Sequence, residues 1–113
     1  MEVQAVAKYI RMSPRKARLV VDMVRGMDAR KALVTLKFVP QAAAEPIYKL
    51  IASAIANAEE NLGLSGDELY VSEISSDSGP TLRRGRFGGR GRYKPILKRS
   101  THLKVVLATR DEA

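Results

Sequence analysis

Six arginines and two lysines fall within residues 80–99, PTLRRGRFGGRGRYKPILKR, among four glycines and without a single acid. A guanidinium presents a planar fork of donors that matches two phosphate oxygens at once, and an ammonium adds a compact point charge. Arg83, Arg84, Arg86, Arg90, Arg92, Lys94, Lys98 and Arg99 are therefore candidate ligands for a polyanion. Phe87 and Tyr93 are aromatic and can stack on bases or pack on riboses. Gly85, Gly88, Gly89 and Gly91 let the backbone approach a crowded surface closely. A segment with so little apolar surface and so much like charge does not settle on itself and needs an external anion.

A second basic group lies near the start, where Ser13-Pro14-Arg15-Lys16 is flanked by Arg11 and Arg18. Ser13 suits a helix cap and Pro14 suits the first helical position, whose amide has no partner in any case. Arg15 and Lys16 then fall in the first turn, against the positive end of the helix dipole. Two readings of that turn stand. A phosphate bound by the free amides and the two side chains removes the unfavourable term, or the turn is a solvated basic surface that costs a few tenths of a kcal/mol.

Other chemistry has no residues to run on. The single histidine, His102, has no serine or cysteine partner set, and zero cysteines exclude thiolate metal sites and disulfides. His102 reads either as a half-buried strand residue or as one more contact to the anion. The Glu59-Glu60 pair reads as a solvated face. No enzyme activity, cofactor or metal is expected. Apolar runs are too short to span a bilayer, and no basic amphipathic helix with a bulky apolar face is present to lie on one, so no membrane partner is expected.

The elements that must position these residues follow from charge and periodicity. Residues 1–77 contain ten Lys/Arg and ten Asp/Glu, whereas residues 78–110 contain ten Lys/Arg and no acid, so the net charge of +8 belongs to the C-terminal third. A neutral body with a basic arm is the footprint of a polyanion binder, nucleic acid first. Length allows one domain, 1–113, with residues 78–99 as the arm. Residues 2–10 read as a strand. Helices are expected over 13–25, stopped by Gly26; over 28–38, capped by Asp28; and over 41–62, with Pro46 in its second turn. In the first helix Ala17, Leu19, Val20, Met23 and Val24 form the apolar face. In the second it is Ala32, Leu33 and Leu36, and in the third Ile47, Leu50, Ile51, Ala54, Ile55, Ala58 and Leu62. Strands over 69–76 and 100–109 flank the arm as the base of a hairpin. Arms of about ten residues put the tip roughly 30 Å from the body. A disordered arginine-glycine tail is the alternative, but a tail is not followed by a strand.

Three blocks, SPRKARLVVDMVRG, SAIANAEEN and SGPTLRRGRFGGRGRYKPILKRSTHLKVVL, resemble the family of ribosomal protein L twenty-two of the bacterial and organellar large subunit, in the same order over the whole chain. The resemblance implies an α+β fold, a small three-stranded antiparallel sheet packed on three helices with a long extended β-hairpin arm. It implies a structural constituent of the large ribosomal subunit, cytoplasmic or organellar. Such a protein binds and helps assemble large-subunit ribosomal RNA, contacts neighbouring ribosomal proteins, and lines the nascent-peptide exit tunnel with its hairpin. The matching positions are Ser13, Pro14, Arg15, Lys16, Arg18, Gly79, Pro80, Arg83, Arg84, Arg90, Gly91, Arg92, Lys98, Arg99 and His102. Of these, Ser13, Arg15, Lys16, Arg18, Arg83, Arg84, Arg90, Arg92, Lys98, Arg99 and His102, together with Arg11, Arg86 and Lys94, make up the expected RNA-binding set. The tunnel tip would be Gly85, Arg86, Phe87, Gly88, Gly89, Arg90 and Gly91, where the family usually has two apolar residues and then Pro-Arg-Ala. No homo-oligomer is expected.

Overall fold

The computed structural model describes residues 2–87 and 93–109, with the backbone alone over 82–97. Strand β1 (Glu2–Ile10) is followed by helices α1 (Pro14–Val24), α2 (Ala29–Lys37) and α3 (Ala44–Leu62) and by a short 3-10 turn, Gly66–Glu68. The chain continues through β2 (Leu69–Ser78), β3 (Leu82–Phe87), β4 (Tyr93–Lys98) and β5 (Thr101–Thr109). β5 lies between β1 and β2 and runs antiparallel to both, while β3 and β4 pair as a separate ribbon. This is the expected α+β arrangement, with the ribbon inserted between the last two strands of the sheet.

The middle position of β5 suits its sequence. Leu103, Val105, Val106, Leu107 and Ala108 are all buried, a nearly continuous apolar run in the strand that has a neighbour on both edges. β2 reaches the same core by changing phase. Val71 pairs with Leu107 but Glu73 pairs with Val106, so Ser72 is an extra residue, and the buried positions shift from Leu69 and Val71 to Ile74 and Ser76. Without that bulge Ile74 would fall on the opposite face.

The helices cover one face of the sheet with Ala17, Val20, Val21 and Val24 of α1, Ala29, Ala32 and Leu36 of α2, and Ala44, Ile47, Leu50, Ile51, Ala54, Ile55 and Ala58 of α3. Four details differ from the sequence reading. The buried stripe of α1 includes Val21, whereas Leu19 and Met23 are 64% and 44% exposed. A stripe one position over satisfies the same helical period, and the neighbours of the helix decide between them. Leu62, at the end of α3, is exposed. Asp28 stands at the N-cap of α2 without a side-chain cap bond, and its backbone bridges to Tyr70 at the start of β2. Finally, α3 starts later than expected, which puts Pro46 in its first turn. Its missing amide is one that no helix satisfies there, so the proline is accommodated.

Candidate nucleic-acid interface

The sheet and α1 meet at residues 11–13, and two buried hydroxyls fix the junction. Thr101 donates its hydroxyl to the carbonyl of Met12 at 2.9 Å, and Ser76 donates to the carbonyl of Pro14 at 3.3 Å. The turn is thus tied to both β5 and β2. Ser13 then accepts the backbone N–H of Lys16 at 3.3 Å, with Pro14 in the first helical position, as the local sequence predicts. No acid lies in this first turn, and Arg11, Arg15, Lys16 and Arg18 are all exposed.

The base of the ribbon closes beside that turn. The N–H of Gly79 donates to the carbonyl of Ser100 at 3.0 Å, and the hydroxyl of Ser100 donates to the carbonyl of Pro80 at 2.6 Å. A side chain at position 79 would begin 2.6 Å from Ser100 Oγ and 3.1 Å from His102 Cε1, so this crossing favours glycine. The expected strand start at 100 moves to 101 because Ser100 is used in this neck.

Three clefts meet around it. The first, about 680 Å³, is lined by Ser13, Pro14, Arg15, Lys16, Arg18, Leu19, Ser78 and Arg99. A second, about 330 Å³, has Arg11, Met12, Lys16 and Leu19 against residues 41–43. A third, also about 330 Å³, is lined by Tyr9, Arg11, Pro80, Lys98, Arg99 and Ser100. Arg99, Lys16 and Arg11 each belong to two of them, so the clefts form one belt, and none of the three linings contains Asp or Glu.

Elsewhere three cations of the body have acidic partners. Arg25 pairs with Asp22 at 2.6 Å and also donates to the carbonyl of Ile74 at 2.8 Å. Arg30 pairs with Glu59 at 3.1 Å and Asp67 at 2.8 Å, and Lys49 with Glu45 at 3.2 Å. Glu59 is therefore not simply solvated; it also accepts the N–H of Gly66 at 3.3 Å. Among the described residues none of Arg11, Arg15, Lys16, Arg18, Lys98 and Arg99 takes part in an ion pair. The belt is a cationic surface of a kind suited to successive phosphates.

Of the residues singled out from sequence, the fold brings Arg11, Ser13, Arg15, Lys16, Arg18, Lys98 and Arg99 together. His102 is half-buried next to them, and its Nδ1 accepts the backbone N–H of Tyr9 at 3.1 Å. Arg83, Arg84, Gly85, Arg86, Phe87 and Lys94 are placed by backbone on the ribbon, where the register sets Arg86 opposite Lys94. Such a like-charge pairing is unfavourable in an isolated ribbon. Gly88, Gly89, Arg90, Gly91 and Arg92 lie outside the described residues. Several lining residues were not foreseen, Leu19 and Tyr9 among them. Leu19 had been assigned to the core by period, and Tyr9 carries no sequence signal for its position, since a lone tyrosine in a strand is unremarkable.

Residues 5–108 match the family model described as Ribosomal protein L22p/L17e. The chain is 52% identical over 107 residues to the large ribosomal subunit protein uL22 of Cutibacterium acnes, covering 95% of this chain and 70% of that protein. It is 46% identical to the protein of that name from Clostridium acetobutylicum, covering 98% and 100% of the two chains. The one from Chloroflexus aggregans is likewise 46% identical, over 99% of each.

Proposed function

The chain belongs to the ribosomal protein L22p/L17e family and is a structural, non-enzymatic constituent of the large ribosomal subunit; from that premise we propose that it binds large-subunit ribosomal RNA through the basic belt and the arm. The observation that carries this reading is the gathering of six cations around clefts that contain no acid. Arg25, Arg30 and Lys49 have acidic partners, whereas the six belt cations have none among the described residues and line clefts without an acid. Each phosphate they neutralise would release counterions, the main source of affinity for a polyanion.

In this reading the belt docks on RNA backbone at the root of the arm, with Arg15 and Lys16 holding phosphate near the start of α1. Arg83, Arg84, Arg86, Arg90, Arg92 and Lys94 neutralise RNA along the arm, and the tip, residues 85–91, faces the exit tunnel and the nascent peptide. The 64 Å long dimension of the molecule, against 25 and 22 Å across, supports an arm of the reach this requires. Neighbouring ribosomal proteins complete the surroundings, and the ribosome is cytoplasmic.

The test is incorporation. In a sucrose gradient the native chain should sediment with large subunits, and Arg83→Glu with Arg84→Glu should shift most of it to the top. Normal occupancy of that double variant in large subunits would refute the docking role. A native chain found mainly in the free pool would instead favour a regulator acting off the ribosome.

A further inference from the structure

Tyr9 is the one non-glycine residue with positive φ among the described residues, at +60°. That region is costly for an L-residue with a large side chain, and glycine would occupy it without strain. It arises where the register of β1 and β5 breaks: Ala7 pairs with Leu103 and Ile10 with Thr101, leaving Lys8 and Tyr9 opposite His102 alone. His102 holds the distorted residue from two sides. Its Nδ1 accepts the Tyr9 N–H at 3.1 Å, and the two rings meet at right angles with centroids 4.9 Å apart. Despite this fixation, Tyr9 stays 65% exposed.

An aromatic ring held out by a strained backbone and a dedicated partner is a poor way to fill a core, since it fills none. It is a good way to present a flat surface. The cleft next to it, about 330 Å³, is lined by Arg11, Pro80, Lys98, Arg99 and Ser100 in addition to Tyr9. Asp77 stands opposite His102 in the register, but on β2, away from Tyr9, and it does not line the cleft. Three cations around one exposed ring match a nucleotide, whose base offers a π-face and whose flanking phosphates offer charge. A paired base hides its face in the stack of a duplex, so the nucleotide must be unpaired.

We infer that Tyr9 is the stacking platform for one unpaired base of the bound RNA, with Arg11, Lys98 and Arg99 holding the phosphates on either side. The inference rests on the RNA-binding reading above and adds a site to it. His102 is a positioning residue: it acts through Tyr9.

Two measurements on the full chain test it. The first is binding to purified large-subunit ribosomal RNA across a salt series. Tyr9→Leu and Tyr9→Gly should each weaken binding about tenfold, with the slope of log affinity against log salt unchanged, because a stack and not a phosphate contact is lost. Tyr9→Phe, which keeps the ring, should stay within about twofold of native. Tyr9→Gly also relieves the strained φ, so its thermal stability should hold or rise while its affinity falls; a purely structural role for Tyr9 predicts no such opposition. The second is ultraviolet crosslinking of the native chain to the same RNA, in which the peptide carrying Tyr9 should be modified. Native affinity in both Tyr9→Leu and Tyr9→Gly, loss in Tyr9→Phe equal to that in Tyr9→Leu, or absence of crosslinks at Tyr9 would overturn the stacking site and leave RNA binding by the belt standing. Failure of the native chain to bind the RNA at all would overturn both.

Discussion

Thr101 and Met12 are joined by a part-buried hydrogen bond, hydroxyl to carbonyl at 2.9 Å, that ties the middle strand of the sheet to the turn in front of α1. Thr101 is fully buried, so removing its hydroxyl puts an apolar group where the half-buried Met12 carbonyl had its donor. Thr101→Val keeps the shape of the side chain and strands that acceptor, which costs about 1–3 kcal/mol. For a chain of this size the melting temperature should fall by roughly 4–15 °C, read by far-ultraviolet circular dichroism. An unchanged melting temperature would mean that the turn is held by other bonds, and that Arg15 and Lys16 are not positioned through β5.

The neck of the arm supplies a steric prediction. A methyl group at position 79 meets Ser100 Oγ at 2.6 Å, and that oxygen is already committed to the Pro80 carbonyl. Gly79→Ala should therefore destabilise by about 1–3 kcal/mol, the usual range for an overpacked site. Removing the hydroxyl as well should relieve part of the clash. In a double-mutant cycle Gly79→Ala and Ser100→Ala should then be coupled by about 0.5 kcal/mol or more. Simple additivity of the two losses would show that the collision lies elsewhere.

At the start of α1, stability and function should move in opposite directions. The first turn has no acid, and Arg15 and Lys16 oppose the helix dipole. Arg15→Glu with Lys16→Glu should raise the stability of the isolated chain by about 0.5–2 kcal/mol, since each acid gains some 0.3–1 kcal/mol at a helix N-terminus. The same double variant should bind ribosomal RNA more weakly, with a salt slope smaller by about 2, one for each lost phosphate contact. A variant that is both more stable and equally tight would assign these two residues to solvent, the bland reading of the turn.

How much of this was legible in the sequence depended on the range of the interaction involved. Local chemistry was readable: the Ser13 cap, the Pro14 start and the stop at Gly26, which adopts φ +83°, each depend on neighbours a few residues away. The basic character of the arm and of Arg15 and Lys16 was equally plain. What the sequence did not contain was phase and proximity. Leu19 and Val21 both satisfy a helical period, and only the packed neighbours of α1 exclude the first and bury the second. The bulge at Ser72 leaves an alternation that looks broken until β5 supplies its register. Likewise the cleft uniting Arg15 with Arg99, or Tyr9 with Lys98, joins residues separated by most of the chain. No spacing rule connects them.

The contrast between a paired arginine and a belt arginine gives the sharpest control. Arg30 is as basic as Arg99, but it is held by Glu59 at 3.1 Å and Asp67 at 2.8 Å, with its guanidinium against Gly66. All three side chains are substantially exposed, so the network stabilises by about 1 kcal/mol at most and weakens in salt. Arg30→Gln should therefore lower stability slightly and leave RNA affinity within about twofold, with an unchanged salt slope. Arg99→Gln should do the reverse: little effect on stability, and a salt slope smaller by about 1. Net charge falls equally in the two variants, so any difference between them isolates position from charge. If Arg30→Gln lowered the slope as much as Arg99→Gln, RNA binding would follow total charge, and the belt around the neck would have no special standing.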